Sequence, residues 1–131
     1  MSFFSVYEIS SSGLDLQQKR LEAIALNIAN INVSKRLDGT LFQPLDVVAS
    51  SSKFGLNGVD DVQMVPRNVP SKLIYNPKHP DADAAGYVEI PDINPVDEMT
   101  NVLMASRAYE ANISVLNVSK AMAMKAMEIG R

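Results

Sequence analysis

Residues 94–131 read NPVDEMTNVLMASRAYEANISVLNVSKAMAMKAMEIGR, and their reading decides the fold. Asn94 is a good N-cap, because its side-chain oxygen can accept from an N–H that the first helical turn leaves unpaired. Pro95 suits the first helical position, where no N–H is needed. Asp97 stands where a capping-box acid would, and Asp97 and Glu98 together place negative charge at the positive end of the helix dipole. Gly130 offers a left-handed stop. Neither Gly nor Pro interrupts Val96 to Ile129, so the spacing predicts one helix roughly 50 Å long at about 1.5 Å per residue. The usual helix has about 11 residues. One this long needs partners along its length.

The stretch carries two apolar lines. Met104, Ala108, Ala111, Val115, Val118, Met122 and Ile129 recur at threes and fours, which is heptad spacing. Val102, Ala105, Tyr109, Ile113, Leu116, Ala123 and Met127 form the second line, on another side of the helical wheel. Arg107, Glu110, Lys125 and Glu128 fill one of the gaps between them. A surface helix ordinarily shows one stripe to one core. Two stripes suggest two neighbours, one within the chain and one from another copy. Burial inside a single-chain bundle would give the same periodicity, so the pattern leaves both open.

Composition narrows the function classes. The chain has 131 residues, 47% of them apolar, which fits one domain or one small domain with extended helices. Trp is absent and aromatics make up 6%, so a base-stacking platform is not expected. The formal charge is −3 and Lys and Arg are scattered, which argues against nucleic acid and anionic membranes as partners. Without cysteine there is no disulfide framework and no thiolate metal site. MSFFSVYEISSSGLDLQQKR lacks the basic and apolar regions of a cleavable secretion signal, and no run is long enough to span a membrane.

Taken in order, Met1 to Tyr7 is short, apolar and aromatic, suited to packing on a partner or to staying loose. Ser10 to Ser12 offer N-caps for a helix reaching about Asn30. Leu14, Leu21, Ile24, Ala25 and Ile28 make its apolar stripe, and Gly13 weakens its first turn by about 1 kcal/mol relative to Ala. Asn30 and Asn32 read as stop and turn residues, whereas Asn27 could equally be a buried hydrogen-bonding group. Residues 33–93 change character. Turn residues at Asp38-Gly39, Asn57-Gly58, Asn76-Pro77 and Gly86 separate β-type runs at Leu45 to Ala49, Val59 to Val65, Lys72 to Tyr75 and Tyr87 to Ile90. The fold expected is α+β, in three parts: residues 1–32 helical, 33–93 a small β-rich insert with hairpins, and 94–131 the long helix. The two terminal helices pair as an antiparallel, coiled-coil-like hairpin.

Catalytic chemistry is not found. His79 is the only histidine. With Asp81 and Asp83 it lacks the fourth group that a metal site needs at defined spacing, and a turn with Asp side chains bonded to nearby N–H groups is the simpler reading. No nucleophile elbow or phosphate loop occurs. Asp60 and Asp61 would point to opposite faces of a strand. No enzyme activity, cofactor or metal is expected.

Both ends of the chain carry a resemblance. SSSGLDLQQKRLEAIALNIANIN (10–32) resembles the N-terminal motif of the bacterial flagellar axial proteins, the rod, hook and hook-associated group, through Gly13, Leu14, Gln18, Arg20, Leu21, Ala25, Asn27, Ile28, Ala29 and Asn30. VDEMTNVLMASRAYEANISVLNVSKAM (96–122) resembles their C-terminal motif through Val96, Glu98, Met99, Ala105, Arg107, Ala108, Tyr109, Ala111 and Asn112. NPKHPDADAAGYVEIPDINPVDEM is similar to the proximal-rod members. One departure is the run Asn30-Ile31-Asn32-Val33-Ser34, where many relatives have a Thr-Pro-Gly turn.

The resemblance implies a structural subunit of the basal-body rod, exported without a cleavable signal and assembled in the periplasm, where it polymerises through its terminal helices and transmits torque. The partners implied are other rod proteins and neighbouring copies, with the export-gate adaptor and the distal rod beyond them. Subunit-interface residues expected on this reading are Leu14, Leu21, Ile24, Asn27, Ile28, Asn30, Met99, Arg107, Tyr109, Asn112, Ile113, Leu116 and Met122. The alternative is a soluble helical adaptor that binds one partner in a discrete complex.

Overall fold

The computed structural model describes residues 3–36, 38–51 and 58–130. Its elements are α1 (Phe3–Ala29), β1 (Leu45–Ser51), β2 (Val59–Pro66), β3 (Ser71–Tyr75), β4 (Tyr87–Pro91) and α2 (Pro95–Ile129). The architecture is α+β, with two long helices flanking a small antiparallel β region.

α2 starts as the residues dictate. Asn94 Oδ1 accepts from Val96 N at 3.0 Å, and Pro95 occupies the first turn. Its other end differs from expectation. Gly130 has φ −83°, so it does not take the left-handed form; its N–H still bonds Ala126 O, and the last turn closes by ordinary helical geometry. α1 also begins earlier than the serines suggest. Phe3–Tyr7 is helical, and Ser12 lies inside the helix, its hydroxyl donating to Ile9 O. A serine can bond backward within a helix as well as cap one, which is why the serine run marks no boundary here. α1 ends at Ala29, and Asn30 Nδ2 donates to Leu26 O to cover the final turn.

The helices pair antiparallel. Asn27 of α1 bonds Glu98 of α2, and Gly13 faces Asn112, where an added Cβ would come within 2.9 Å of Nδ2. The absent side chain lets the helices approach, so the residue that weakens α1 in isolation serves the pair. Carried on, the same register sets Phe3 beside Met122, and the last two turns of α2 run past the described start of α1. Met122, Met127 and Ile129 are 68%, 68% and 86% exposed there.

Most of one line on α2 meets α1: Ala105 is buried and Val102, Tyr109, Leu116 and Ala123 are half-buried, while Ile113 and Met127 are exposed. On the other line Met104, Ala111, Val115, Val118, Met122 and Ile129 are exposed and Ala108 is half-buried. On α1 the inward side keeps Leu14, Leu21 and Ile24 of the apolar stripe and adds Ser10, Gln17, Ala23 and Asn27, whereas Ala25 and Ile28 are exposed. Asn27 bonds β1 and Ser12 bonds β2, which ties α1 to the insert.

The insert forms two antiparallel pairs, β1–β2 and β3–β4. Leu45 lies opposite Pro66, with an irregularity between Ser50 and Ser51. Ser71 lies opposite Pro91. β1–β2 leans on α1: Val59 N donates to Ser12 Oγ, and Leu45 N to Asn27 Oδ1. Half of the turn expected at Leu56 to Val59 lies outside the described residues, although Gly58 has the positive φ of 92° that such a turn requires. In the loop after β3, Asp83 Oδ1 accepts from Ala85 N and Tyr87 N. Ser34 donates to Asp81, and Lys35 pairs with Glu89 at 2.8 Å. The Lys35 ammonium, followed by a Ser71 hydrogen bond, holds the Glu89 carboxyl below its ordinary pKa. A depressed folded-state pKa contributes stability above the unfolded value that is lost as pH falls through the folded one. Lys35→Met should therefore raise the Glu89 titration midpoint, read by carboxyl NMR; an unmoved midpoint would contradict the cause assigned.

Candidate assembly surface

The polar heart of the fold is a junction of four segments. Asn27 is 1% exposed. Its Oδ1 accepts from Leu45 N at 2.7 Å and its Nδ2 donates to Leu45 O at 3.0 Å. It thereby mimics a strand partner for β1, leaving Nδ2 also near Glu98 Oε2 at 3.4 Å. Glu98, 3% exposed, accepts from Arg67 at 3.3 Å, and Arg67 reaches on to Asp46 at 3.5 Å. Burying a carboxylate is costly unless it is paired and hydrogen-bonded; Arg67 and Asn27 supply both. Glu98 keeps its place as an acid in the first turn of α2 and also ties α2 to α1 and to Arg67, the residue after β2. Two adjacent acids at a helix start were a usable sign, since capping needs only one.

Beside this junction is an open groove of about 460 Å³ between α1, β1 and the first half of α2. Small residues make its floor: Ala23 and Ala105 are buried, and Ala108 lies next to them. Gln17 is 8% exposed, and its Oε1 has no hydrogen-bond partner among the described residues. Arg20 also lines the groove and makes no ion pair among them. Gln17 stands between Leu16 and Gln18, three residues after Leu14 and four before Leu21, so it falls on the apolar stripe without adding an apolar side chain to it.

The expected interface residues divide into two sets. Leu14, Leu21, Ile24, Asn27, Tyr109, Asn112 and Leu116 are buried or half-buried along the helix pair, and Asn30 is half-buried just past the end of α1. Ile28, Met99, Arg107, Ile113 and Met122 are exposed. The second set, with most of the open line on α2, faces solvent. Among the described residues no group of acids and histidine could hold a metal ion, and no helix is long and apolar enough to cross a membrane.

The comparisons with known proteins meet this geometry at both helices. The family described as "Flagella basal body rod protein" matches residues 8–34, and "Flagellar basal body rod FlgEFG protein C-terminal" matches 84–129. The flagellar basal-body rod protein FlgC of Salmonella typhimurium is 37% identical over the whole of both chains. The chain belongs to the FlgC family of flagellar basal-body rod proteins. FlgC of Borreliella burgdorferi is 35% identical over 98% of each chain, and that of Bacillus subtilis 32% over the whole of both. Membership makes this FlgC-family chain a structural subunit of the flagellar basal body, and places it among other rod components. The two matched segments contain both partners of the buried Asn27–Glu98 bond, while Arg67 lies between them, in the insert.

Proposed function

We propose that the chain polymerises with neighbouring copies and other rod proteins through the outer faces of its paired helices, and that the resulting rod transmits torque. The observation that carries this reading is the exposed apolar line of α2, continued into an overhang that α1 does not cover. Residues at heptad spacing left in water gain most by meeting another helix. Heterologous contacts that do not close build a helical tube, which is the form a rod needs. The periplasm as the site of assembly, export without a cleavable signal, and contacts with the export-gate adaptor and the distal rod belong to the same reading. A discrete one-to-one complex, as an adaptor would form, leaves the long open line without a purpose.

Truncating the open line tests it. Val115→Ala and Val118→Ala change exposed residues that α1 does not cover, so each should leave the helix pair folded yet reduce swimming and the amount of the chain in purified basal bodies, whereas Glu128→Ala should do neither. Normal motility in both open-line variants would refute the assignment.

A further inference from the structure

Resting on the rod reading, the geometry points to a definite occupant for the groove: the outer face of α2 from a second copy, centred on Met99 and Leu103. Val96, Met99 and Leu103 are 66%, 61% and 61% exposed and follow one another at threes and fours, so they form one apolar ridge. At 100° per residue this ridge lies on roughly the opposite side of α2 from Asn101, Met104 and Ala108, which line the groove. Each molecule therefore carries a recess on one side of α2 and a ridge on the other. Seating the ridge of one copy in the recess of the next leaves a recess and a ridge free at the two ends, which is the open, non-closing arrangement a rod requires.

Charge complementarity supports the same match. The groove holds two groups without a partner among the described residues: the buried Gln17 oxygen, which lacks a donor, and the exposed Arg20 guanidinium, which is free to pair with an acceptor. A buried acceptor left alone costs free energy that a docking donor recovers. The ridge is flanked by Arg107 and Glu110, both exposed and neither in an ion pair among the described residues. Arg107 supplies the donor for Gln17 Oε1, and Glu110 the carboxylate for Arg20. Asp46 and Glu98, which also line the groove, share the single Arg67 guanidinium, so Arg20 is the cation left to meet the incoming Glu110.

The absence of cysteine makes the test direct. Val48 lines the groove and is 55% exposed, and Leu103 is on the ridge. A chain carrying both Val48→Cys and Leu103→Cys, oxidised in rod-building cells, should give disulfide-linked dimers and longer ladders of itself, while each single variant stays monomeric. Arg20→Glu or Glu110→Arg should each lower the cross-linked yield about fivefold, and the two together should restore it. Self-dimers from Leu103→Cys alone, or cross-links only to a different rod subunit, would overturn the proposal. So would no cross-link in a chain that still fractionates with purified basal bodies. Loss of the unmodified chain from those basal bodies would instead remove the rod reading itself.

Discussion

Asn27→Ala should destabilise the folded chain by about 3 kcal/mol, the largest effect expected from any single polar change. The reason is the number of groups that one carboxamide satisfies. It closes both the N–H and the C=O of Leu45 and borders the buried Glu98 carboxylate. Alanine leaves the two backbone groups of Leu45 without these bonds in a part-buried place, and leaves Glu98 with Arg67 alone. Asn27→Asp should be no better, because its second oxygen would face Leu45 O and the Glu98 carboxylate, where a donor is required. Urea unfolding followed by far-ultraviolet circular dichroism measures the change. Asn30→Ala is the comparison: its side chain makes one exposed bond to Leu26 O and should cost less than about 1 kcal/mol. Equal losses in the two variants would show that the junction does not hold the fold.

Gly58→Ala should cost about 2–3 kcal/mol and loosen β2 from α1. Its φ of +92° disfavours any side chain, and a Cβ would overlap Ser12 Oγ and lie 3.2 Å from the backbone at Ile9. That hydroxyl is the acceptor for Val59 N, so the collision also breaks the tie between β2 and α1. Gly39→Ala separates strain from contact. Its φ is similar, +82°, but nothing lies within 4 Å of the added atom, so only the backbone cost of about 1 kcal/mol should appear. Faster amide exchange at Val59 in Gly58→Ala, unchanged in Gly39→Ala, is the accompanying signature. If the two glycine variants lose the same stability, the Ser12 contact carries no weight.

Local physics and long-range physics left different traces in the chain. The four strands follow the turn residues closely: Gly39 and Gly86 take positive φ where turns were expected, and each observed strand contains the run read for it. The start of α2 was equally plain, because N-cap and first-turn chemistry involve residues next to one another. The start of α1 was not, since serine serves both inside and at the edge of a helix. Periodicity revealed two apolar lines on α2 but not which one was covered. That depended on the partner helix, whose own inward face is set by Gln17 and Asn27 as much as by leucine and isoleucine. The role of Glu98 was hidden for the same reason: its cation, Arg67, comes from the middle of the insert, between β2 and β3, and no local pattern connects them.

The antiparallel register has a practical corollary. Phe3 and Ile129 mark the same pole of the helix pair, with Asn27 and Glu98 at the other. A reporter or affinity tag fused to either end of α1–α2 away from the junction would thus sit beside the uncovered methionines, on the surface proposed to meet a neighbour. The loop joining β3 to β4 is exposed over most of its length and lies on neither helix. It is the place for a label that must leave both helix faces clear.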